Sequence, residues 1–235
     1  MSKEGCFGGE WPSSHALLFA SVASDEACEA VRAEAGKIAE APNYWVPIEA
    51  LQAEPRELRT PGEELVAEVY DNVVRERLPE GCAGAEWWVQ VYNDRGKGLA
   101  FHFDKDEHLM AKEGRMVCPQ LSSVLYLNDD TPEGESRLAA TLVMDQVFDA
   151  ATRGSSPETA RRTLLAWPAW RQYLLFDGKL AHGVMNSSSH GLRMTLLINW
   201  WDHRPSEIDR VTAEDAAKFG LGGRSELGAA GVGGA

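Results

Sequence analysis

Of the six histidines in this 235-residue chain, one stands where its neighbours could do chemistry, in Phe101-His102-Phe103-Asp104. On a strand, residues two apart share a face, so His102 and Asp104 project together while Phe101 and Phe103 pack on the other side. An imidazole and a carboxylate on one edge make two metal ligands. Alone the pair is weak evidence, because His-x-Asp arises by chance about 0.3 times in a chain of this composition. Asp106 is a poorer carboxylate candidate, since its four-residue spacing from His102 is helical. His190, in a Ser-rich turn, and His203, after the last strand, read as solvated surface groups.

A second histidine strengthens the first pair. His182 lies in Leu180-Ala181-His182-Gly183-Val184, a short late strand from which a third ligand can face the other two. Two imidazoles and one carboxylate on one side of a metal form the facial set of non-haem Fe(II) oxygenases, with three coordination positions open. Arg193 follows eleven residues later, beyond the turn Asn186 to Gly191, so an antiparallel return predicts it near the same rung as His182. Inside a barrel a guanidinium needs an anionic partner, and its planar fork matches a carboxylate. An unpaired buried arginine is costly. The alternation Arg193, Thr195, Leu197, Asn199, Trp201 gives a partly polar face and so suggests a cavity that could take a dicarboxylate. The competing reading is an arginine that follows a turn and points to solvent.

Two helices are legible upstream. Ser24 before Asp25 and Glu26 is an N-cap with an acidic first turn, and Cys28, Val31, Ala35 and Ile38 then fall on one face. Thr60-Pro61-Gly62-Glu63 offers a Thr cap, Pro at the first helical position and Glu at the capping-box position. Leu65, Val66, Val69 and Val73 form its stripe, ending by Pro79. From Trp87 onward the pattern turns to alternation. Strands are predicted over Trp87 to Tyr92, Leu99 to Asp104, Ser122 to Asn128, Leu138 to Met144, Arg161 to Trp167, Gln172 to Asp177, Leu180 to Val184 and Leu192 to Trp201. The expected fold is α+β, mainly β: a double-stranded β-helix, or jelly roll, with supporting N-terminal helices. Asp145 to Ala160 reads as a loop insertion and candidate lid. The tryptophans are core by default, although Trp88 or Trp201 could wall a substrate cavity.

At this length one sizeable domain can bury its own core. Composition places the chain among globular proteins, with 44% hydrophobic and 25% charged residues, and excludes fibrous, disordered and membrane classes. Asp plus Glu outnumber Lys plus Arg by 36 to 23, a formal charge of -13, which disfavours generic binding to nucleic acid or anionic lipid but leaves room for a local basic pocket. Cys6, Cys28, Cys82 and Cys118 form no Cys-x-x-Cys pair, so a cysteine zinc site is disfavoured and a reducing compartment, cytoplasmic or similar, is expected. No secretory signal is read, while organelle import stays open. The expected organisation is a flexible N-terminus over 1–10, one domain over 11–219 with a helical prefix over 11–80 and a β core over 87–201, and a disordered Gly-rich tail over 220–235.

The ordered set Gln90-Val91-Tyr92, His102-x-Asp104, Ser123-Val124-Leu125-Tyr126-Leu127-Asn128, Leu174-Leu175-Phe176-Asp177, His182 and Arg193 resembles the 2-oxoglutarate and Fe(II)-dependent oxygenase superfamily. Within it, the segment from Trp87 to Trp201 is most similar to the prolyl 4-hydroxylase-like branch. The resemblance implies that His102, Asp104 and His182 bind iron and that Arg193 binds the distal carboxylate of 2-oxoglutarate. It further implies that Tyr126 hydrogen-bonds that carboxylate and that Tyr92 lines the cosubstrate pocket. The implied reaction consumes O2 and 2-oxoglutarate, hydroxylates a C–H bond of a prolyl or other protein residue or of a small molecule, and releases succinate and CO2, with ascorbate as a candidate accessory reductant. Two features depart from the branch: the long gap between His102 and His182, and Glu133-Gly134-Glu135-Ser136, which only loosely matches its Gly-Gly-Glu-Thr turn. Two other classes stay open: a cupin-like jelly roll with a different metal and no 2-oxoglutarate, and a catalytically silent binding module.

Overall fold

The computed structural model describes residues 15–92, 98–130, 135, 137–187 and 191–219. The expected N-terminal segment 1–10, the tail 220–235, His190 and most of the Glu133 to Ser136 turn lie outside the described residues.

Strand β1 (Ala16–Phe19) leads into α1 (Asp25–Ile38). Ser24 caps that helix, its Oγ accepting from the Ala27 N–H at 3.2 Å, while the Glu68 carboxylate accepts from the backbone N–H and hydroxyl of Ser24 at 2.6 and 2.9 Å. The cap therefore also ties α1 to the next long helix. After β2 (Tyr44–Pro47) and the short α2 (Ile48–Gln52) comes α3 (Pro61–Val69), continued by a π-helical turn over Tyr70–Val74. Half of the capping box predicted there forms: Thr60 Oγ1 accepts from the Glu63 N–H, while the Glu63 carboxylate reaches one residue further back and accepts from the Arg59 N–H. Glu63 is fully buried because Arg210 pairs with it at 2.8 Å.

The remaining elements are β3 (Gly84–Tyr92), β4 (Leu99–His102), α4 (Glu107–Glu113), β5 (Leu121–Tyr126), β6 (Thr141–Asp149), β7 (Gly154–Ser156), β8 (Thr163–Ala166), β9 (Tyr173–Asp177), β10 (Leu180–Val184), β11 (Arg193–Trp201) and α5 (Ala213–Phe219). They form two antiparallel sheets. One runs β1-β9-β5-β11-β3-β2, the other β4-β10-β6-β7, with β8 also paired to β6. Helices α1 and α3 cover the outer face of the six-stranded sheet, where Val31, Ala35, Leu65, Val66 and Val69 meet Trp87, Leu196, Ile198 and Trp200. Gly62 is needed for this contact, since a Cβ there would lie 2.5 Å from the Trp87 ring. A smaller apolar core lies between the sheets, made by Val124, Tyr126, Leu174 and Phe176 against Val143, Leu164, Ala166 and Leu180.

Three expectations change. Asp145 to Ala160 is not a free loop: β6 continues to Asp149, and β7 folds back on it with Val147 opposite Ser156. The serines and proline there read as loop chemistry, yet the backbone ladder is made without help from those side chains. Strand β11 does not return beside β10 but crosses to the other sheet, pairing with β3 and β5, so Arg193 stands opposite Tyr92 and not on the rung of His182. Strand β4 stops at His102, and Phe101 is 56% exposed instead of packed. Cys28, Cys82 and Cys118 are free thiols. Among the described residues no helix is long and apolar enough to cross a membrane.

Candidate metal centre

Strands β10 and β4 are neighbours, and their register makes His182 and His102 direct partners. Gly183 lets the strands close up beside this pair, because a Cβ at that position would come within 2.8 Å of the Leu99 carbonyl oxygen and of the Phe101 ring. The two imidazole centroids are 4.4 Å apart. Each ring is anchored by its own strand: His102 Nδ1 lies 2.9 Å from the Ala100 carbonyl oxygen and His182 Nδ1 lies 3.0 Å from that of Leu180. Both bonds require the proton on Nδ1, so the neutral form of each imidazole would present its Nε2 lone pair to a metal.

Asp104 lies beyond the end of β4, so the ladder alone does not position it. Ser122 on β5 does, donating its hydroxyl to Asp104 Oδ2 at 2.7 Å. Oδ1 is then left facing the two imidazoles, 3.6 Å from His102 Nε2 and 3.5 Å from His182 Nε2. The three donor atoms all lie within 4.8 Å of one another. Burial would raise the Asp104 carboxyl, but the charge of His182 and hydrogen bonding from both histidines and Ser122 outweigh it and hold Asp104 well below the usual carboxylate range. The ionised form that binds a metal is thus the form this environment favours. For His182 burial opposes protonation, and the Asp104 charge overcomes it to raise the imidazole. Asp106 does not join the cluster. It caps α4 by accepting from the Leu109 N–H at 2.9 Å.

Arg193 is only 4% exposed and faces the gap between the sheets. Its Nε donates to the Ala139 carbonyl oxygen at 3.1 Å and its Nη2 to Thr141 Oγ1 at 2.8 Å. Its guanidinium carbon sits 5.8 Å from the Tyr92 ring centre and 5.5 Å from that of Tyr126. No carboxylate among the described residues pairs with it, and burial presses its pKa down. Thr141 and Val143 are adjacent residues on the inward face of β6, and Val143 is the partner of His182, so the guanidinium is held about 7 Å of strand away from the rung of His182. Tyr126 shares a 2.7 Å hydrogen bond with Thr141 and also reaches the Ala166 carbonyl oxygen at 3.1 Å. The buried Tyr92 hydroxyl has no hydrogen-bond partner among the described residues.

Further along the same face, Glu86 accepts from Asn43 Nδ2 at 2.7 Å and from Trp201 Nε1 at 3.0 Å. Burial pushes its carboxyl up to about 7 despite those bonds, and Asp104 and Asp106 add to the rise. Sequence reasoning missed Glu86, Ser122 and Thr141. Adjacent serines opening an otherwise apolar strand signalled Ser122, whereas no local pattern distinguishes Thr141.

No family model matches the chain, and no curated protein matches it in sequence. Its structure is similar to those of a prolyl-4-hydroxylase from Pseudomonas putida (TM-score 0.48, 17% identity, 82% of this chain and 90% of that one) and a prolyl hydroxylase from Trichoplax adhaerens solved with a hypoxia inducible factor peptide fragment (0.48, 11%, 81% and 84%). HygX from Streptomyces hygroscopicus, solved with iron bound, is also similar (0.46, 15%, 86% and 89%).

Proposed function

We propose that the protein is an Fe(II)- and 2-oxoglutarate-dependent oxygenase, a single domain over 11–219 with a helical prefix over 11–80 and a double-stranded β-helix core over 87–201, that hydroxylates a C–H bond of a small-molecule, peptide or protein substrate in a reducing compartment. His102, Asp104 and His182 hold the iron, each through the donor atom its surroundings leave free. The observation that carries the cosubstrate is Arg193, a buried cation with no carboxylate partner among the described residues. A chain keeps such a group at a cost, and a dicarboxylate would relieve it.

When bound, iron with O2 and 2-oxoglutarate supplies the oxidation: the keto acid becomes succinate and CO2, and one oxygen atom enters the substrate C–H bond. The chain's own residues bind and orient. Arg193 offers its fork to the distal carboxylate, with Thr141 and the Ala139 carbonyl fixing the direction of the guanidinium. The Tyr92 hydroxyl, unpartnered among the described residues, would offer its donor to the same group. Tyr126, engaged with Thr141 and Ala166, stiffens this anchor and lines it with its ring. Ser122 keeps one oxygen of Asp104 occupied so that the other faces the metal.

Anaerobic titration with Fe(II) and then 2-oxoglutarate tests the reading by the visible metal-to-ligand charge-transfer band. The wild-type protein should develop it. His182→Ala and Asp104→Ala should lose it by losing iron, and Arg193→Lys should need at least tenfold more 2-oxoglutarate while binding iron normally. Metal binding that ignores 2-oxoglutarate would sink the oxygenase in favour of a metal site of another kind.

A further inference from the structure

A chain of net charge -13 should on the whole repel anions. One cavity departs from this. It has a volume of about 490 Å³ and lies between the β6–β7 hairpin, the segment after α4 and the turn from β9 to β10. Arg115, Arg153 and Lys179 line it, Met116, Val147 and Phe148 give it an apolar wall, and none of its lining residues is acidic. Arg115 makes a mostly exposed ion pair with Glu113 at 3.2 Å, worth little in water. Neither Arg153 nor Lys179 pairs with a carboxylate among the described residues. A second cavity, of about 460 Å³ on the other side of α4, has the opposite character, with Glu86, Asp106, Glu107 and Glu207 in its lining.

The basic cavity adjoins the candidate metal centre. The Phe148 ring meets that of Phe103 edge-on at 6.0 Å, and Phe103 is the residue between His102 and Asp104. Lys179 precedes His182 by three residues, about 10 Å of strand. The Cys118 thiol, also in the cavity lining, is raised to about 11 by burial, with Asp104 and Asp177 adding to the rise and Lys179 and Lys105 opposing it. Arg193 lies at the other end of the site, beyond Thr141, and is not part of this lining.

We infer that the substrate carries an anionic group, a carboxylate or similar oxyanion on an apolar body, and that Arg115, Arg153 and Lys179 hold this group while Phe148 and Val147 hold the body next to the metal centre. This rests on the oxygenase reading above and names the substrate class for it. The cationic rim discriminates by charge, because a neutral analogue of equal shape would leave Arg153 and Lys179 without a counter-charge. The net negative surface around it makes the cavity the favoured landing point for an anion.

The test is a calorimetric comparison on the full chain, loaded with Mn(II) and saturating 2-oxoglutarate without O2, so that the Arg193 anchor is occupied. The probes are 4-phenylbutyrate against its neutral amide, and the capped dipeptide acetyl-Phe-Glu-amide against its Gln counterpart. Each acid should bind at least tenfold more tightly than its neutral partner. Arg153→Ala/Lys179→Ala, two exposed changes that leave the core intact, should abolish that preference with 2-oxoglutarate affinity unchanged. The tighter of the two acids identifies the source as a free organic acid or an acidic peptide side chain. Equal binding of acid and neutral probe, or a preference that survives in the double variant, would overturn the inference. Failure of 2-oxoglutarate to bind in the same cell would overturn the oxygenase reading separately, and the acid against neutral comparison would still be read on the metal-loaded chain.

Discussion

Strand β11 turns Met194, Leu196, Ile198 and Trp200 toward the helices and Arg193, Thr195, Leu197, Asn199 and Trp201 toward the opposite sheet. The outer row is apolar apart from the buried Trp200 Nε1, which has no hydrogen-bond partner among the described residues; Leu196, Ile198 and Trp200 are buried against α1 and α3 and Met194 partly so, with the Trp200 ring 6.0 Å from that of Tyr70. The inner row holds a buried cation with no counter-charge among the described residues, a buried Thr195 hydroxyl with no partner among them, and an indole that binds a glutamate raised to about 7. Backbone, burial and strand are shared, so the contrast lies in what each face is for. The helical side supplies cohesion, and the side between the sheets spends some of it to keep polar groups ready for something that arrives from outside.

Truncation should divide the two faces most sharply. Trp200→Ala removes a fully buried indole and should cost about 3–5 kcal/mol in urea unfolding, while the surviving native fraction binds Fe(II) as before. His182→Ala should cost far less stability and abolish metal binding. Similar stability losses from both would break the division.

Glu86 gives the next effect, one of pH. Its folded-state pKa lies above the ordinary glutamate value, so the contribution is fully present below pH ~4.5 and is lost as pH rises through about 7. The folded form binds the proton more tightly across that window, so stability falls with pH, by about 3 kcal/mol at most. Glu86→Gln should flatten this slope in metal-free protein and be the more stable chain at pH 8. An unchanged slope would show that the carboxyl is ionised in the fold at ordinary pH.

The smallest effect runs against intuition. Arg193→Met should raise the stability of the ligand-free protein by about 1–2 kcal/mol, since desolvation of an uncompensated guanidinium outweighs its hydrogen bonds to Thr141 and Ala139. Addition of 2-oxoglutarate should then stabilise the wild type and leave the variant unmoved. Destabilisation by Arg193→Met in the absence of any ligand would instead make the arginine a structural strut.

The sequence was most informative where a local rule decides the outcome. The Ser24 and Thr60 caps depend on neighbours within four residues, and helix starts follow from such neighbours, whereas the strand rule that paired His102 with Asp104 named the right residues although Asp104 lies past the strand end and is held by Ser122. Long-range assembly was less legible. The eleven-residue interval after His182 suited an antiparallel hairpin, but β11 found its partners in β3 and β5, and nothing within Asn186 to Gly191 encodes a change of sheet. Thr141 and Glu86 matter through residues some 50 and 115 positions away, Arg193 and Trp201. The four-residue strands β1 and β2 carry too few side chains for a period to emerge.

The carbonyl anchors of the two histidines separate two degrees of freedom in the site. Each ring takes its orientation from a bond to a residue two positions back on its own strand, so a shift of one strand past the other carries ring and anchor together. The separation of the rings, by contrast, is set only by the pairing of β10 with β4. Distortions of the sheet that carries β4 and β10 would therefore change the bite of the ligand set without rotating its donors, and the size of ion it admits is a property of sheet geometry, while the angle at which it is met is fixed within each strand.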